Sequence, residues 1–526
     1  MMNLPRKRSA AEGDEGDETG ILTSLSRSIS PPPKRVRLMT ANKSPWQLTR
    51  IRDLPDELNK DTVMLEDILG DPLIFQCWQF NFLHDIPFVV NAFHESVRHS
   101  VELHVVHGFW KTKESPRVSL SRDASRYPNV HLHCAPMPAM FGTHHSKMMI
   151  LFRSDDTAQV VIHTANMIPK DWTNMTNAVW ISQKLPALPK GVTMPRPGQL
   201  LPVGSGGRFK EDLLEYLMQY DSHRTICRDL VKGLSKYDFS SIRAALIASV
   251  PGSHLLRGAL GPAWGWGALK RCLRDIPVEP GESEIVVQIS SIATLGAKND
   301  WLQNTLFNSL ATCSTQNAKR PSFKVVFPTA DEIRNSLDGY DSGASIHAKI
   351  ESPQHIQQLH YLHPMLYHWA KDSVNGPEVL DGTPIRGDSG RNRAAPHIKT
   401  YIRFNKDNSI AWAMLTSANM SKQAWGDAPK LTERKTREVK VASWEVGVLV
   451  WPELLCKDGV MVSSFQSDTP DASPFAEGQR PLIGLRVPYS MPLQAYGKDE
   501  VPWAPTTAHT RPDWKGHMWA YPKSSR

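Results

Sequence analysis

The chain has 526 residues, 40% of them hydrophobic and 22% charged, with a formal net charge of +8 and a pI near 9.0. That is too long for one small core and predicts two domains with additions. No apolar run reaches the roughly 20 residues of a membrane-spanning helix, the polar N-terminus has no apolar signal-peptide core, and the six cysteines are scattered without CxxC pairing. The expectation is a soluble intracellular protein with reduced, buried thiols. The basic balance favours a polyanionic partner mildly, and a solvated basic surface accounts for it equally well.

Residues 1–45 are rich in Ser, Pro, Gly, Arg and Glu and poor in aromatics, the composition of a disordered basic tail. Two basic clusters, Pro5-Arg6-Lys7-Arg8 and Pro31-Pro32-Pro33-Lys34-Arg35-Val36-Arg37, look like a nuclear import signal, with Ser28 and Ser30 beside them as candidate phosphorylation sites. An unselective basic tail is the alternative.

Order is expected from Pro45. Residues 63–69 are apolar-periodic, and 74–82 and 87–101 carry mixed helical patterning. Residues 101–107 and 129–134 alternate and read as strands, as do 148–152 and the apolar run before Asn166. A short strand at 179–182, a Pro/Gly-rich loop at 186–207 and an amphipathic helix at 209–220 complete the first half. The second half repeats the plan. Strands are predicted at 239–250, 284–291, 323–327 and 401–404, and the run ending at Asn419 reads as another. Helices are predicted at 263–275 and 301–310, a polar loop spans 372–395, and 444–451 is a final strong strand before an aromatic-rich tail from Pro502. Strands alternating with helices in two similar halves predict two α/β lobes, residues 46–222 and 223–526.

One constellation occurs twice. The first copy is Gly142-Thr143-His144-His145-Ser146-Lys147-Met148-Met149-Ile150, then Val160-Val161-Ile162-His163-Thr164-Ala165-Asn166. The second is Pro396-His397-Ile398-Lys399-Thr400-Tyr401, then Ala413-Met414-Leu415-Thr416-Ser417-Ala418-Asn419. In each, a His-x-Lys opens an apolar run and an Asn closes the next, after 18 intervening residues in one copy and 19 in the other. Residues i and i+2 of extended chain share a face, so each His projects with its Lys, and each Asn ends a neighbouring strand. Two lobes packed about a pseudo-two-fold axis would bring all six side chains to one point.

Two imidazoles, two ammoniums and two amides suit a phosphate ester. The ammoniums neutralise the charge that develops on its oxygens, and the amides fix the phosphorus by hydrogen bonds. A neutral imidazole can attack phosphorus to give a phosphohistidine, and a second one opposite can protonate the leaving group and then deprotonate water. Zinc is the rival reading, since His131, His133, Cys134, His144 and His163 lie close in sequence, but they lack the spacing of a zinc site. Neither a G-x-S-x-G elbow nor a P-loop occurs.

The doubled motif resembles the phospholipase D superfamily. Most of its members carry an Asp five residues after the Lys, where this chain has Phe152 and Phe404. That departure is similar to the tyrosyl-DNA phosphodiesterase family. Its resemblance runs from about Pro45 to the C-terminus and includes Phe141 to Met149, Val161 to Asn166, Pro396 to Tyr401, Thr416 to Lys422, Trp425-Gly426 and Glu445 to Leu449.

The resemblance implies two similar α-β-α lobes with the active site at their interface. It implies a DNA repair phosphodiesterase that removes topoisomerase I-derived tyrosine or peptide from single- and double-stranded DNA 3′ ends and leaves a 3′-phosphate. His145 would be the nucleophile and His397 the acid and then the base. Lys147, Lys399, Asn166 and Asn419 would hold the phosphate. Glu445, and Asn177 where the family has a longer Gln, would orient the imidazoles. Ser291 and Thr294 would meet DNA phosphates, and Phe141 would stack on a base. It implies no metal and no cofactor, a nuclear monomer away from membranes, and repair-protein contacts through the tail. A lipid-directed relative and an inactive DNA-binding scaffold remain the alternatives.

Overall fold

The structure, a computed structural model, describes residues 41–189, 201–222, 224–256, 264–370, 387–431, 437–470 and 480–520. The basic tail with its two clusters, the middle of the 186–207 loop and residues 372–386 of the polar loop lie outside this set.

Two large sheets dominate. The first half supplies β1 (Gln47–Leu48), β2 (Ile74–Phe80), β3 (Glu102–His107), β4 (Val130–Cys134), β5 (Met148–Arg153), β6 (Thr157–His163) and β7 (Ala178–Ile181). The second supplies β8 (Ala245–Ser249), β9 (Ser283–Gln288), β10 (Ser322–Val326), β11 (Leu366–Tyr367), β12 (Thr400–Asn405), β13 (Ile410–Thr416) and β14 (Glu445–Val450). The spatial orders are β1-β7-β6-β5-β2-β3-β4, with Leu185–Pro186 paired to β6, and β8-β14-β13-β12-β9-β10-β11. Adding seven to every label of the first order gives the second. The senses agree as well: β2-β3-β4 and β9-β10-β11 are parallel, and the other neighbours on both paths are antiparallel.

The period of two decides which core each strand side chain enters. Met148, Ile150 and Phe152 of β5 point into a core that also receives Ile402 and Phe404 of β12, so the sheets share it. Met149 and Leu151 point the other way, onto the helices Leu65–Leu69, Ile86–Ala92 and Ser115–Ala124. Tyr401 and Met414 do the same in the second lobe, against the helix Trp266–Leu273 and the segment Leu302–Phe307. Both faces of β5, β6, β12 and β13 are therefore buried. Truncating Ile150 to Ala would cost about 2–5 kcal/mol.

Several sequence expectations need correction. Residues 74–80 form β2, a strand at the middle of its sheet, and not a helix. Each face of β2 mixes apolar residues with a glutamine, Gln76 on one and Gln79 on the other, so its alternation is erased and the run imitates helical patterning. Only Ile86–Ala92 of the 87–101 stretch is helical, started by the Asp85 side chain accepting from Phe88 N at 2.9 Å. The strand within 239–250 is confined to β8. β14 is not the last strand: Val460–Ser464 and Leu482–Arg486 follow and pair in parallel. The helices Ser115–Ala124 and Pro353–Leu362 were not foreseen. Cys77, Cys227 and Cys272 are buried free thiols as expected, but Cys134, Cys313 and Cys456 are only partly buried. No helix among the described residues is long and apolar enough to cross a membrane.

The same topology places the two motifs alike. Each His-x-Lys precedes the strand β5 or β12, and each Asn follows the adjacent antiparallel strand β6 or β13, so Lys and Asn meet at one sheet edge.

Candidate active site

Each motif loop is pinned by the opposite lobe. His144 bridges in parallel to Trp444, with Trp444 N donating to Thr143 O at 2.9 Å and His145 N donating to Trp444 O at 3.0 Å. Pro396 bridges to Thr176 in the same way, with Thr176 N donating to Ala395 O at 2.9 Å and His397 N to Thr176 O at 3.0 Å. Trp444 and Thr176 lie just before β14 and β7, which are equivalent strands. The residue after each one then reaches the imidazole it has helped to place.

His145 Nδ1 lies 2.9 Å from Glu445 Oε2, which also accepts from Ser417 Oγ at 2.5 Å. A carboxylate only accepts, so Nδ1 carries the proton and Nε2 keeps its lone pair. His397 Nδ1 lies 3.1 Å from Asn177 Oδ1 and 3.1 Å from Asp171 Oδ2. Asn177 is oriented by Thr164 Oγ1, which donates to Oδ1 at 2.9 Å, and by its own Nδ2, which donates to Asp171 O at 2.8 Å. Both neighbours of His397 Nδ1 are acceptors, so this ring also presents an unprotonated Nε2 when neutral. The shorter Asn at the family's Gln position therefore reaches its imidazole.

The two ammoniums are fully buried, and each donates to the carbonyl of its own His, Lys147 to His145 O at 3.3 Å and Lys399 to His397 O. Burial lowers Lys147 to about 8, with Glu445 and Asp171 pulling it back up. Lys399 is held well below its ordinary value by burial and by the Lys147 charge. Burial lowers both imidazoles; Lys399, Lys147 and His145 add to this at His397, and Glu445 opposes it at His145. Burial pushes the Glu445 carboxyl up, but His145, Ser417 and Lys147 outweigh that and hold it low. Asp171 is raised by burial against the Asn166 N–H and the lysines. A site with neutral imidazoles and two repelling buried ammoniums is arranged for an anion, which would restore the lysine charge.

The asparagines differ. Asn419 Oδ1 accepts from Ser290 N at 3.0 Å and Ser291 N at 2.9 Å, leaving its amide hydrogens without a partner among the described residues. Asn166 is tied to Asp171 Oδ2 through its backbone N at 2.7 Å and its Nδ2 at 2.9 Å, so one amide hydrogen remains. Ser291 is thus joined to the site through Asn419. The Thr294 hydroxyl instead faces His355 Nε2 at 2.9 Å. Phe141 is 81% exposed on the loop leading to His145.

Sequence reasoning missed Asp171, Ser417, Thr164 and Ser290. The two hydroxyls were detectable, since Thr164 and Ser417 each stand two residues before the motif Asn. Asp171 carried no such signal, because its counterpart five residues after Asn419 is Ala424. The residues weighed as zinc ligands go elsewhere. His144 bonds Asn81 O and Tyr220 Oη, each at 3.0 Å, and His131 and His133 line a sheet face with His104. Among the described residues no three His, Cys, Asp or Glu gather as a metal site would require.

Comparison with known proteins gives a consistent answer. A family model described as tyrosyl-DNA phosphodiesterase matches residues 45–497. A probable tyrosyl-DNA phosphodiesterase of Schizosaccharomyces pombe is 31% identical, over 90% of this chain and 95% of that protein. Tyrosyl-DNA phosphodiesterase 1 of Drosophila melanogaster is 31% identical, over 87% of this chain and 72% of the other. The crystal structure of the yeast tyrosyl-DNA phosphodiesterase superposes with a TM-score of 0.58 at 19% identity, covering 87% of this chain and 98% of that one, a likeness of fold.

Proposed function

The chain belongs to the tyrosyl-DNA phosphodiesterase family, a family of DNA repair hydrolases in the phospholipase D superfamily, and on that premise we propose that it cleaves 3′-phosphotyrosyl bonds through a phosphohistidine on His145. This membership supports a DNA-directed reading over the lipid-directed one, and the intact set of six motif residues speaks against an inactive scaffold. The observation that supports the reading best is the crossed pairing of the imidazoles, each with Nδ1 capped by an acceptor from the other lobe and Nε2 left for chemistry.

In the first step the Nε2 lone pair of His145 forms a bond to phosphorus and the P–O bond to tyrosine breaks. Its electron pair leaves on the phenolic oxygen, which takes the Nε2 proton of His397, cationic once the anionic substrate is bound, and leaves that imidazole neutral. Lys147 and Lys399 carry the charge on the non-bridging oxygens, and Asn419 and Asn166 donate to them. In the second step His397 removes a proton from water, the hydroxide attacks phosphorus from the vacated side, and the P–N bond breaks. A 3′-phosphate leaves and His145 is neutral again. Glu445 stabilises the positive charge that builds on His145 as it attacks, as the carboxylate of a Ser-His-Asp triad does for its imidazole.

The substrate is a DNA 3′ end bearing topoisomerase I-derived tyrosine or peptide, single- or double-stranded, with Ser291 and Thr294 along the phosphates and Phe141 as a stacking ring. The basic tail fits nuclear import and contacts with repair proteins, and the chain acts as a monomer. The test is a 3′-tyrosyl oligonucleotide incubated in chelator. Release of tyrosine with a 3′-phosphate product is expected, and a His397→Ala protein should accumulate a covalent DNA adduct. Full activity of His145→Ala would overturn the proposal.

A further inference from the structure

His-x-Lys occurs a third time, as His347-Ala348-Lys349. An isolated copy on a surface would be ordinary, but this one lies beside the site. His347 bridges in parallel to Ser291, with His347 N donating to Ser290 O at 2.9 Å and Ile292 N to His347 O at 2.8 Å. Ser290 and Ser291 are the residues that hold the Asn419 amide. Paired residues of adjacent extended segments project to one face, so the imidazole lies on the same side as the Ser291 hydroxyl. His347 is exposed, and its ring makes no hydrogen bond to a described residue.

The strand order says which half of the site it attends: Ser290 and Ser291 follow β9, the neighbour of β12, and Gln288 Nε2 donates to Ile398 O at 2.9 Å, next to His397. The charge on His347 lowers the basicity of His397, in keeping with that placement. Partial desolvation by its neighbours, then the charges of Lys399, Lys170 and Lys349, make His347 less basic than usual. Lys170 stands next to Asp171, which holds His397. In-line attack by His145 expels the leaving group on the side away from it, the side of His397. An imidazole on that half, with no hydrogen-bond partner among the described residues, is available to the departing oxygen.

We propose that His347 is a second proton donor to the leaving group, hydrogen-bonding the departing phenolic oxygen and supplying its proton when His397 does not. The inference rests on the phosphohistidine reading above. As the P–O bond breaks, its electron pair stays on the phenolic oxygen, the proton moves from a ring nitrogen of cationic His347, and a neutral imidazole remains. The P–N bond to His145 forms as before.

The test compares single-turnover adduct formation by wild type, His347→Ala, His397→Ala and the double variant. Two oligonucleotides are used, one ending in 3′-phosphotyrosine and one in a 3′-(4-nitrophenyl) phosphate, whose leaving group needs no proton. His347→Ala should slow the tyrosyl substrate about threefold, and the double variant should fall about tenfold below His397→Ala on it, while the nitrophenyl substrate changes little in both comparisons. A double variant equal to His397→Ala, or a His347→Ala loss equal on both substrates, would overturn the proposal. An unchanged melting temperature for His347→Ala confirms that only the exposed ring was removed. Wild type that fails to cleave the tyrosyl substrate would sink the underlying reading instead.

Discussion

The two halves of the site share a scaffold and differ in where the negative charge sits. In both, a residue just before or at the start of an outer strand crosses to the other lobe's imidazole and is itself held by a hydroxyl two residues before the motif Asn. At His145 the crossing residue is Glu445, a carboxylate in direct line with Nδ1. At His397 it is neutral Asn177, and the carboxylate comes from Asp171 on the His397 side chain's flank, where it must also serve Asn166. The repeated topology gives both imidazoles the same geometry, and the residues that differ, Glu445 against Asn177 and Asp171 against Ala424, set their charge surroundings apart. A nucleophile that becomes cationic gains from an undivided carboxylate. A ring that must release a proton in one step and take one in the next is better served by a shared, weaker one.

The strongest test of that division removes the rings. His145→Ala should lower single-turnover cleavage by about 10⁴-fold or more and form no adduct, because no group replaces the attacking nitrogen. His397→Ala should still form the adduct and stall there. Equal behaviour of the two variants in a denaturing gel would show that the halves are not specialised.

Next come the ammoniums. Lys147→Met and Lys399→Met should each cost about 10²–10³-fold in kcat, the range found when one donor to a developing oxyanion is lost. Lys399 is the more strongly perturbed of the pair and feels the Lys147 charge, so Lys147→Met should also return Lys399 toward ordinary basicity. A high-pH limb of the rate profile that rests on Lys147, near 8 in the free enzyme, would be absent from Lys147→Met. A limb that stays in place would assign it to another group.

The carboxylates sharpen the contrast further. Glu445→Gln should slow adduct formation about 10–100-fold, whereas Asp171→Asn should spare that step and slow adduct hydrolysis by a similar factor, since positioning partners of reactive rings are worth that much. Burst kinetics separate the steps. Both variants slowing the same step would mean that the two carboxylates act as one charge reservoir.

How much of this was legible beforehand follows from the kind of signal each feature leaves. The doubled His-x-Lys and the Asn spacing are written along the chain, and they located β5, β6, β12 and β13 together with the six site residues. The partners Glu445 and Asn177 came only from the resemblance, because a contact between residues 300 positions apart leaves no local pattern. Asp171 was invisible for a simpler reason. It sits in the five-residue helix Pro169–Thr173, where an acidic residue in the first turn is ordinary helix chemistry. β2 was misread because apolar residues and a glutamine stand on each of its faces, which removes the alternation that marks a strand.

The lobes also differ in how their histidines respond to pH, and this is the smallest effect expected. In the first lobe His104 stacks on Trp78 at 3.9 Å, and its Nδ1 meets His133 Nε2 at 3.0 Å. Burial lowers both, His133 to about 4. A folded-state value below the unfolded one near 6.5 means that this stability is complete above about pH 6.5 and is lost as pH falls toward 4. In the second lobe His368 lies 3.2 Å from Glu332 Oε2 and 2.9 Å from Glu500 Oε2. Burial alone would lower it, but the two carboxylates overcome that and raise it to about 9. Here the sign reverses: the stability is complete below about pH 6.5 and is lost as pH rises through 9. The full shift corresponds to about 3 kcal/mol, reduced by solvent screening, because Glu500 is 40% exposed. For a chain of this size that is a few degrees of melting temperature. His368→Gln should therefore flatten the alkaline side of a melting-temperature profile between pH 5 and pH 10 and leave the acid side unchanged, and His133→Gln should do the opposite. A profile in which either variant flattens both sides would show that the two edges do not titrate independently.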